Sequence, residues 1–285
     1  MTPLGPTMRR RQLGAQLRRL REAAGLRMED AAAALDCARS RISHIETGRN
    51  AVRKPDLEVL LRLYGALDRL EPLEDLRREG TKRGWWATYR LPDWLQAYIG
   101  MEADATSVRG FELELIPGLL QSEAYARAVH IAGHHMTPTA EVERRVEARM
   151  QRQARLTSPE PLQLSAVVSE AALRRVLELP AEVANGQLER LATYAKLPNV
   201  TVHVLPFSIG VHRSMSGSFT LLSFDPEVAP DIAYQEYAVG GHLVDDQGVV
   251  GLLCSLYDEL RDQALGADES LSFVSELAQR VERDI

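Results

Sequence analysis

Arg39, Ser40, Arg41, Ser43 and His44 crowd five hydrogen-bonding side chains around two apolar ones, Ile42 and Ile45. At helical spacing the isoleucines share one face and the polar groups are left to point outward. A guanidinium donates two parallel bonds to O6 and N7 of guanine, a hydroxyl bonds a base edge or a phosphate, and an imidazole donates or accepts. A helix with so thin an apolar stripe holds a core with one edge and offers the other to the DNA major groove. Arg39, Ser40 and His44 are therefore expected to face base edges, with Arg41 and Ser43 on the flank toward phosphates. Arg49, Asn50, Arg53 and Lys54 follow in the next loop. Side chains there grip the backbone and supply affinity and salt dependence without sequence information.

Such a helix has to be positioned by others. Leu13, Leu17 and Leu20 recur at helical spacing and predict a first helix over about residues 9–24, stopped at Gly25. Residues 1–8 read as a disordered lead-in. A second helix is expected over 28–35, where the alanine run 31–34 permits close packing. Asp36-Cys37 makes the turn, Cys37 fills a small apolar site there, and the candidate reading helix spans about 38–47. Pro55 suits the first turn of a fourth helix carrying Leu57, Leu60, Leu61 and Tyr64. A fifth begins near Pro72 and runs toward Arg83. Gly84-Trp85-Trp86 marks a junction, so the expected domains are residues 1–84 and 85–285.

Beyond the junction the pattern changes. Stretches 91–101 and 108–115 are apolar-rich. Strands are expected at 162–168, 200–205, 218–224 and 232–238, and helices at 123–132, 139–156, 170–177, 181–196, 249–264 and 269–281. The expected fold class is α+β: an N-terminal five-helix bundle followed by a mixed helix-and-sheet domain.

The net charge of −6 hides an asymmetry. Residues 1–84 carry 18 basic and 12 acidic side chains, a balance of +6, whereas residues 85–285 carry 16 and 28, a balance of −12. A basic module joined to an acidic one fits nucleic-acid binding by the first and avoidance of it by the second. No apolar run approaches the length of a membrane span, and the start of the chain has no apolar h-region, so a cytoplasmic, nucleoid-associated protein is expected. Cys37 and Cys254 match no metal spacing. Among the histidines, His134-His135, His203, His212 and His242 are scattered, without HExxH, and His134-His135 reads as a helix-end loop. No GxSxG elbow and no glycine-rich phosphate loop is present. No catalytic residue, metal site or cofactor is expected, and the chain does not read as an enzyme. Trp85, Trp86 and Trp94 read as junction packing, with a ligand pocket or partner groove as the alternative.

The N-terminal residues 10–67 resemble the lambda-repressor-like (XRE-type) helix-turn-helix. The resemblance is carried by Leu17-Arg18-Arg19-Leu20-Arg21, Gly25-Leu26, the 31–35 run, Ser40-Arg41-Ile42-Ser43-His44-Ile45-Glu46-Thr47-Gly48 and Pro55-Asp56-Leu57. It implies that Arg21 pairs with Glu46 and clasps the first helix to the third. It departs in two places. Met28 stands where many members carry a polar phosphate contact, a role that falls to Arg27 here. Ala38, a poor cap, stands at the N-terminus of the reading helix, leaving compensation to Asp36 or Ser40, or a start that is loose until DNA binds.

Residues 85–285 resemble the companion domain of unassigned function behind this module in many actinobacterial regulators. The matching pieces are Trp85-Trp86, Pro117-Gly118-Leu119-Leu120-Gln121, Tyr125-Ala126-Arg127, Arg149-Met150-Gln151-Arg152-Gln153, Val204-Leu205-Pro206-Phe207, Gly217-Ser218-Phe219 and Glu269-Ser270-Leu271. The two resemblances imply a transcriptional regulator that binds a double-stranded operator as a homodimer. Its second domain then serves dimerisation and a small partner protein, or senses a small molecule.

Overall fold

The computed structural model describes residues 4–133, 138–226 and 228–283; His134 and His135 lie outside them. The chain forms two compact units, Met1–Arg90 with Ile99–Asp104, and Leu91–Tyr98 with Ala105–Ile285. The units interleave in sequence, where composition suggests a single break after residue 84. Nothing in composition announces the return of 99–104 to the first unit, where Asp104 accepts a bond from the Gly5 amide (2.7 Å).

Five α-helices begin the first unit: α1 (Pro6–Ala23), α2 (Met28–Ala34), α3 (Arg39–Glu46), α4 (Lys54–Leu63) and α5 (Leu70–Gly80). The expected lead-in is corrected here. Pro6 opens α1, because its missing N–H and fixed φ suit a first turn, and Met8 is fully buried. Leu13 and Leu17 of α1 meet Ile42 and Ile45 of α3, Leu57, Leu60 and Leu61 of α4, and Leu73 in one core, with Cys37 packed against it. Gly14 lets α1 approach the end of α3: a methyl group there would lie 2.4 Å from the Ile45 carbonyl oxygen and 2.6 Å from that of Glu46. Trp86 is buried, and its ring fills the space beside Gly84 and Gly100.

The second unit is built on a six-stranded mixed sheet in the order β3-β2-β1-β4-β5-β6. Its strands are β1 (Ser107–Glu112), β2 (Gln163–Ser169), β3 (Val200–Leu205), β4 (Phe219–Ser223), β5 (Ile232–Tyr237) and β6 (Gly240–Val244). β1, β2 and β3 run parallel; β4, β5 and β6 join by antiparallel pairing. The helices are α6 (Asp93–Glu102), which spans both units in sequence, α7 (Glu123–Gly133), α8 (Thr139–Gln153), α9 (Glu170–Leu177), α10 (Ala181–Tyr194), α11 (Gln247–Gln263) and α12 (Ala267–Arg283). Phe111 sits opposite Val167 and Phe219 in register. These three form a core with Val250, Tyr257 and Leu260 of α11. At the outer edge of β3, the Val204 amide donates to Ser270 Oγ and its carbonyl accepts from Leu265, so the start of α12 covers that edge. β1 and β6 are the strands that sequence periodicity does not bring out.

Candidate nucleic-acid interface

The connection between α2 and α3 is a left-handed turn. After α2 the Asp36 amide donates to the Ala33 carbonyl and the Cys37 amide to the Ala32 carbonyl, the paired bonds of a Schellman closure. Asp36 takes φ 46°. The equivalent turns after α1, α3 and α4 use Gly25, Gly48 and Gly65, all near φ 70°. The helix-turn-helix bend is thus the one closure of the four that puts a side chain where a Cβ is crowded.

α3 starts at Arg39 with Ala38 as its cap in extended conformation and no side chain capping it. Among the described residues neither Asp36 nor Ser40 makes a hydrogen bond with its side chain, so the expected compensation does not form. Ile42 and Ile45 are buried on one arc with Glu46. By helical spacing Ser40 and His44 fall on the opposite arc, and Arg39 opens the helix at its edge. Ser43 falls between Arg39 and Ser40 around the helix, to one side of that arc. Arg39 and Ser40 are exposed, Ser43 and His44 partly so.

The clasp implied by the resemblance is a bidentate buried pair. Arg21 Nε donates to Glu46 Oε1 (2.6 Å) and Nη2 to Oε2 (2.9 Å), while Nη1 donates to the Leu26 carbonyl (2.8 Å). Both residues are nearly buried, at 5% and 6% exposure. The hydrogen bond to Glu46 holds the Arg21 pKa above its ordinary value against desolvation. This pair fixes the end of α3 to the end of α1 and so sets the angle at which the polar arc is presented.

Two candidate DNA contacts are already held by carboxylates from neighbouring helices. Arg39 Nε lies 3.1 Å from Glu29 on α2, with both side chains well exposed. Arg41 pairs with Asp56 in the first turn of α4, and both are more covered. Sequence reasoning missed Glu29 and Asp56; each lies on another helix, outside any local spacing rule. The exposed Arg39 pair is worth a fraction of a kcal/mol, about 0–1, so a base edge can displace it. Arg41 is tied more firmly and braces α3 against α4.

The remaining candidates surround this arc in sequence. Arg27 caps α2, its amide donating to Asp30 Oδ2 (2.7 Å), with its side chain exposed. Arg49 and Asn50 are exposed in the loop after α3, and the Asn50 amide donates to the His44 carbonyl (3.0 Å). Arg53 caps α4 and Lys54 opens it, both exposed. Among the described residues, no group of three or more His, Cys, Asp or Glu could hold a metal ion, and no helix is long and apolar enough to cross a membrane. Both cysteines are free.

Comparison with known families agrees with this layout. Residues 12–73 match the model of a helix-turn-helix domain, and residues 95–276 match a domain of unknown function (DUF5753). No curated protein and no solved structure matches the chain.

Proposed function

The chain belongs to the DUF5753 family and carries a helix-turn-helix domain ahead of that domain, and we propose that it is a sequence-specific transcriptional regulator of the XRE type that acts without catalysis. The observation that carries this reading is the exposed polar arc of α3, held by a buried ion pair at its far end. Arg39, Ser40 and His44 read base edges; Ser43, Arg27, Arg49, Asn50, Arg53 and Lys54 contact phosphate, and Arg41 braces α3 from Asp56. One reading helix covers few base pairs, so the regulator binds as a homodimer on a two-fold operator. It works in the cytoplasm, on the nucleoid.

In this reading the second unit serves dimerisation and the docking of a small partner protein. Its exposed apolar side chains support that role: Phe207, Val211, Val239 and Leu252 are all at least 60% exposed. Sensing of a small molecule by the same unit is the second reading, favoured by a desolvated Arg149 that has no ion-pair partner among the described residues.

Binding of the full chain to its selected duplex tests the first reading. Arg39→Ala weakens specific binding by about 1–3 kcal/mol and relaxes preference at one base pair. Lys54→Ala weakens all sequences alike and flattens the slope of log affinity against log salt by about one. An Arg39→Ala loss that is equal on specific and random DNA removes the base-reading role.

A further inference from the structure

Three parts of the first unit meet around one crevice: Arg10 and Leu13 of α1, Asn50 and Val52 in the loop after α3, and Arg77 of α5. Leu13 and Val52 are buried and make its floor apolar. Close approaches fix its walls. A methyl group at Gly80 would lie 2.9 Å from Arg10 Cγ and 3.1 Å from the Arg10 amide nitrogen, so the end of α5 sits directly against α1 there. A methyl group at Gly48 would lie 2.7 Å from the Cα and the amide nitrogen of Arg11, so the turn after α3 sits against the next residue of α1.

Two guanidiniums line this crevice, and one of them is unanswered. Arg77 is held by Glu74 through two bonds, Nε to Oε2 (2.6 Å) and Nη2 to Oε1 (2.9 Å). Arg10 has neither a hydrogen bond nor an ion pair among the described residues, and its Nε is buried without a partner. Arg145, Arg155 and Arg190 also bury a bare Nε, yet each bonds an oxygen through Nη2. Burial pushes the Arg10 pKa below its ordinary value, and among the described residues no carboxylate lines the crevice to offset that. A desolvated, unpaired charge costs stability. Folding alone therefore gives no reason for an arginine at this position.

The size of the crevice and its surroundings say what fits. About 10 Å³ is free, the room of one water-sized atom. A whole phosphate ion is too large to be enclosed, but one oxygen of a group held from outside can enter. Asn50 is tied by its amide to the His44 carbonyl (3.0 Å), so this wall is continuous with the end of the reading helix. The Asn50 side chain has no partner among the described residues, and Arg49, Arg53 and Lys54 are exposed on either side of it. The anionic group that meets such a loop when α3 enters a major groove is a backbone phosphate.

We propose that this crevice takes an anionic oxygen of one DNA backbone phosphate, with Arg10 and the Asn50 side-chain amide as its donors, so that α1 grips the operator together with the loop after α3. The proposal deepens the DNA-binding reading above and rests on it.

The test compares the full chain with Arg10→Gln on the duplex that the full chain selects, across a salt series. Loss of one phosphate contact flattens the slope of log affinity against log salt by about 0.9, which amounts to a loss on the order of eightfold at 0.1 M salt relative to 1 M. The loss is equal on specific and random DNA. Without DNA, the Tm of Arg10→Gln equals or exceeds that of the parent, since an unpaired buried charge is gone; a merely structural arginine would lower it. Arg10→Lys keeps the slope, and so does Arg19→Gln, an exposed arginine further along α1. Single methylphosphonates in the duplex locate the contact: one position weakens the parent and leaves Arg10→Gln unaffected. Should Arg10→Gln not fold, Arg10→Met, which keeps the stem packed beside Gly80, takes its place. An unchanged slope overturns the proposal, as does a slope lowered equally by Arg19→Gln. Inorganic phosphate that raises the Tm of the parent but not of Arg10→Gln, with the DNA slope unchanged, marks a free-anion site and overturns it too. If Lys54→Ala flattens the slope and Arg10→Gln does not, the DNA-binding reading stands and this contact alone falls; if the parent selects no duplex, both fall.

Discussion

Removing Glu46 should unseat the candidate reading helix without touching its polar arc. In Glu46→Ala the Arg21 guanidinium keeps the Leu26 carbonyl and a 3.6 Å approach to the half-exposed Glu22, but loses both strong bonds at the buried end of α3. Breaking a buried pair on one side leaves an uncompensated charge and costs about 3–5 kcal/mol. Domain stabilities are about 5–15 kcal/mol, so the loss takes a large share. Hydrogen exchange of the full chain reads it locally. Amides of α1 and α3 that open with the first unit lose roughly two to four orders of magnitude of protection, and amides of β2 lose none. The double replacement Arg21→Met with Glu46→Leu removes both charges and recovers most of the protection, because apolar groups of similar volume replace a buried pair at little cost. A change of less than tenfold in Glu46→Ala, or a double variant as damaged as the single one, refutes the clasp.

Two further predictions rest on single positions. Asp36→Gly relieves a left-handed side chain in the helix-turn-helix bend, and urea unfolding should show a gain of about 0.5–1 kcal/mol; no gain means Asp36 is unstrained. Glu112 has a folded pKa of about 7, above the roughly 4.3 of an unfolded chain. Its contribution is therefore fully present below about 4.3 and lost as pH rises through 7, by up to about 4 kcal/mol. Glu112→Gln should flatten that part of the stability profile and match or exceed the parent at about pH 8; an unchanged profile places the titration elsewhere.

Much of the first unit was legible because short amphipathic helices announce themselves. Ile42 and Ile45 give the buried edge of α3, and the glycines after α1, α3 and α4 give its neighbours their stops. The second unit was legible where strands are continuous, as in β3 with its alternating Val200, Val202 and Val204. β1 was hidden because Arg109 and Gly110 interrupt its apolar pattern, and β6 because it opens on two glycines, which disfavour strands in isolation. The helical start at residues 6–8 was hidden because a short polar segment becomes helix only through the burial of Met8. In the site, residue types pointed to the polar arc, but the carboxylates that hold Arg39 and Arg41 come from α2 and α4 and exist only after folding.

The central claim is that α3 reads DNA, and selection of duplexes from a random pool by the full-length chain tests it most directly. Enrichment of a two-fold-symmetric sequence is expected, lost when Arg39, Ser40 and His44 are replaced together by alanine while the helix content is kept. Absence of enrichment, or the same enriched sequence from the three-alanine variant, contradicts it.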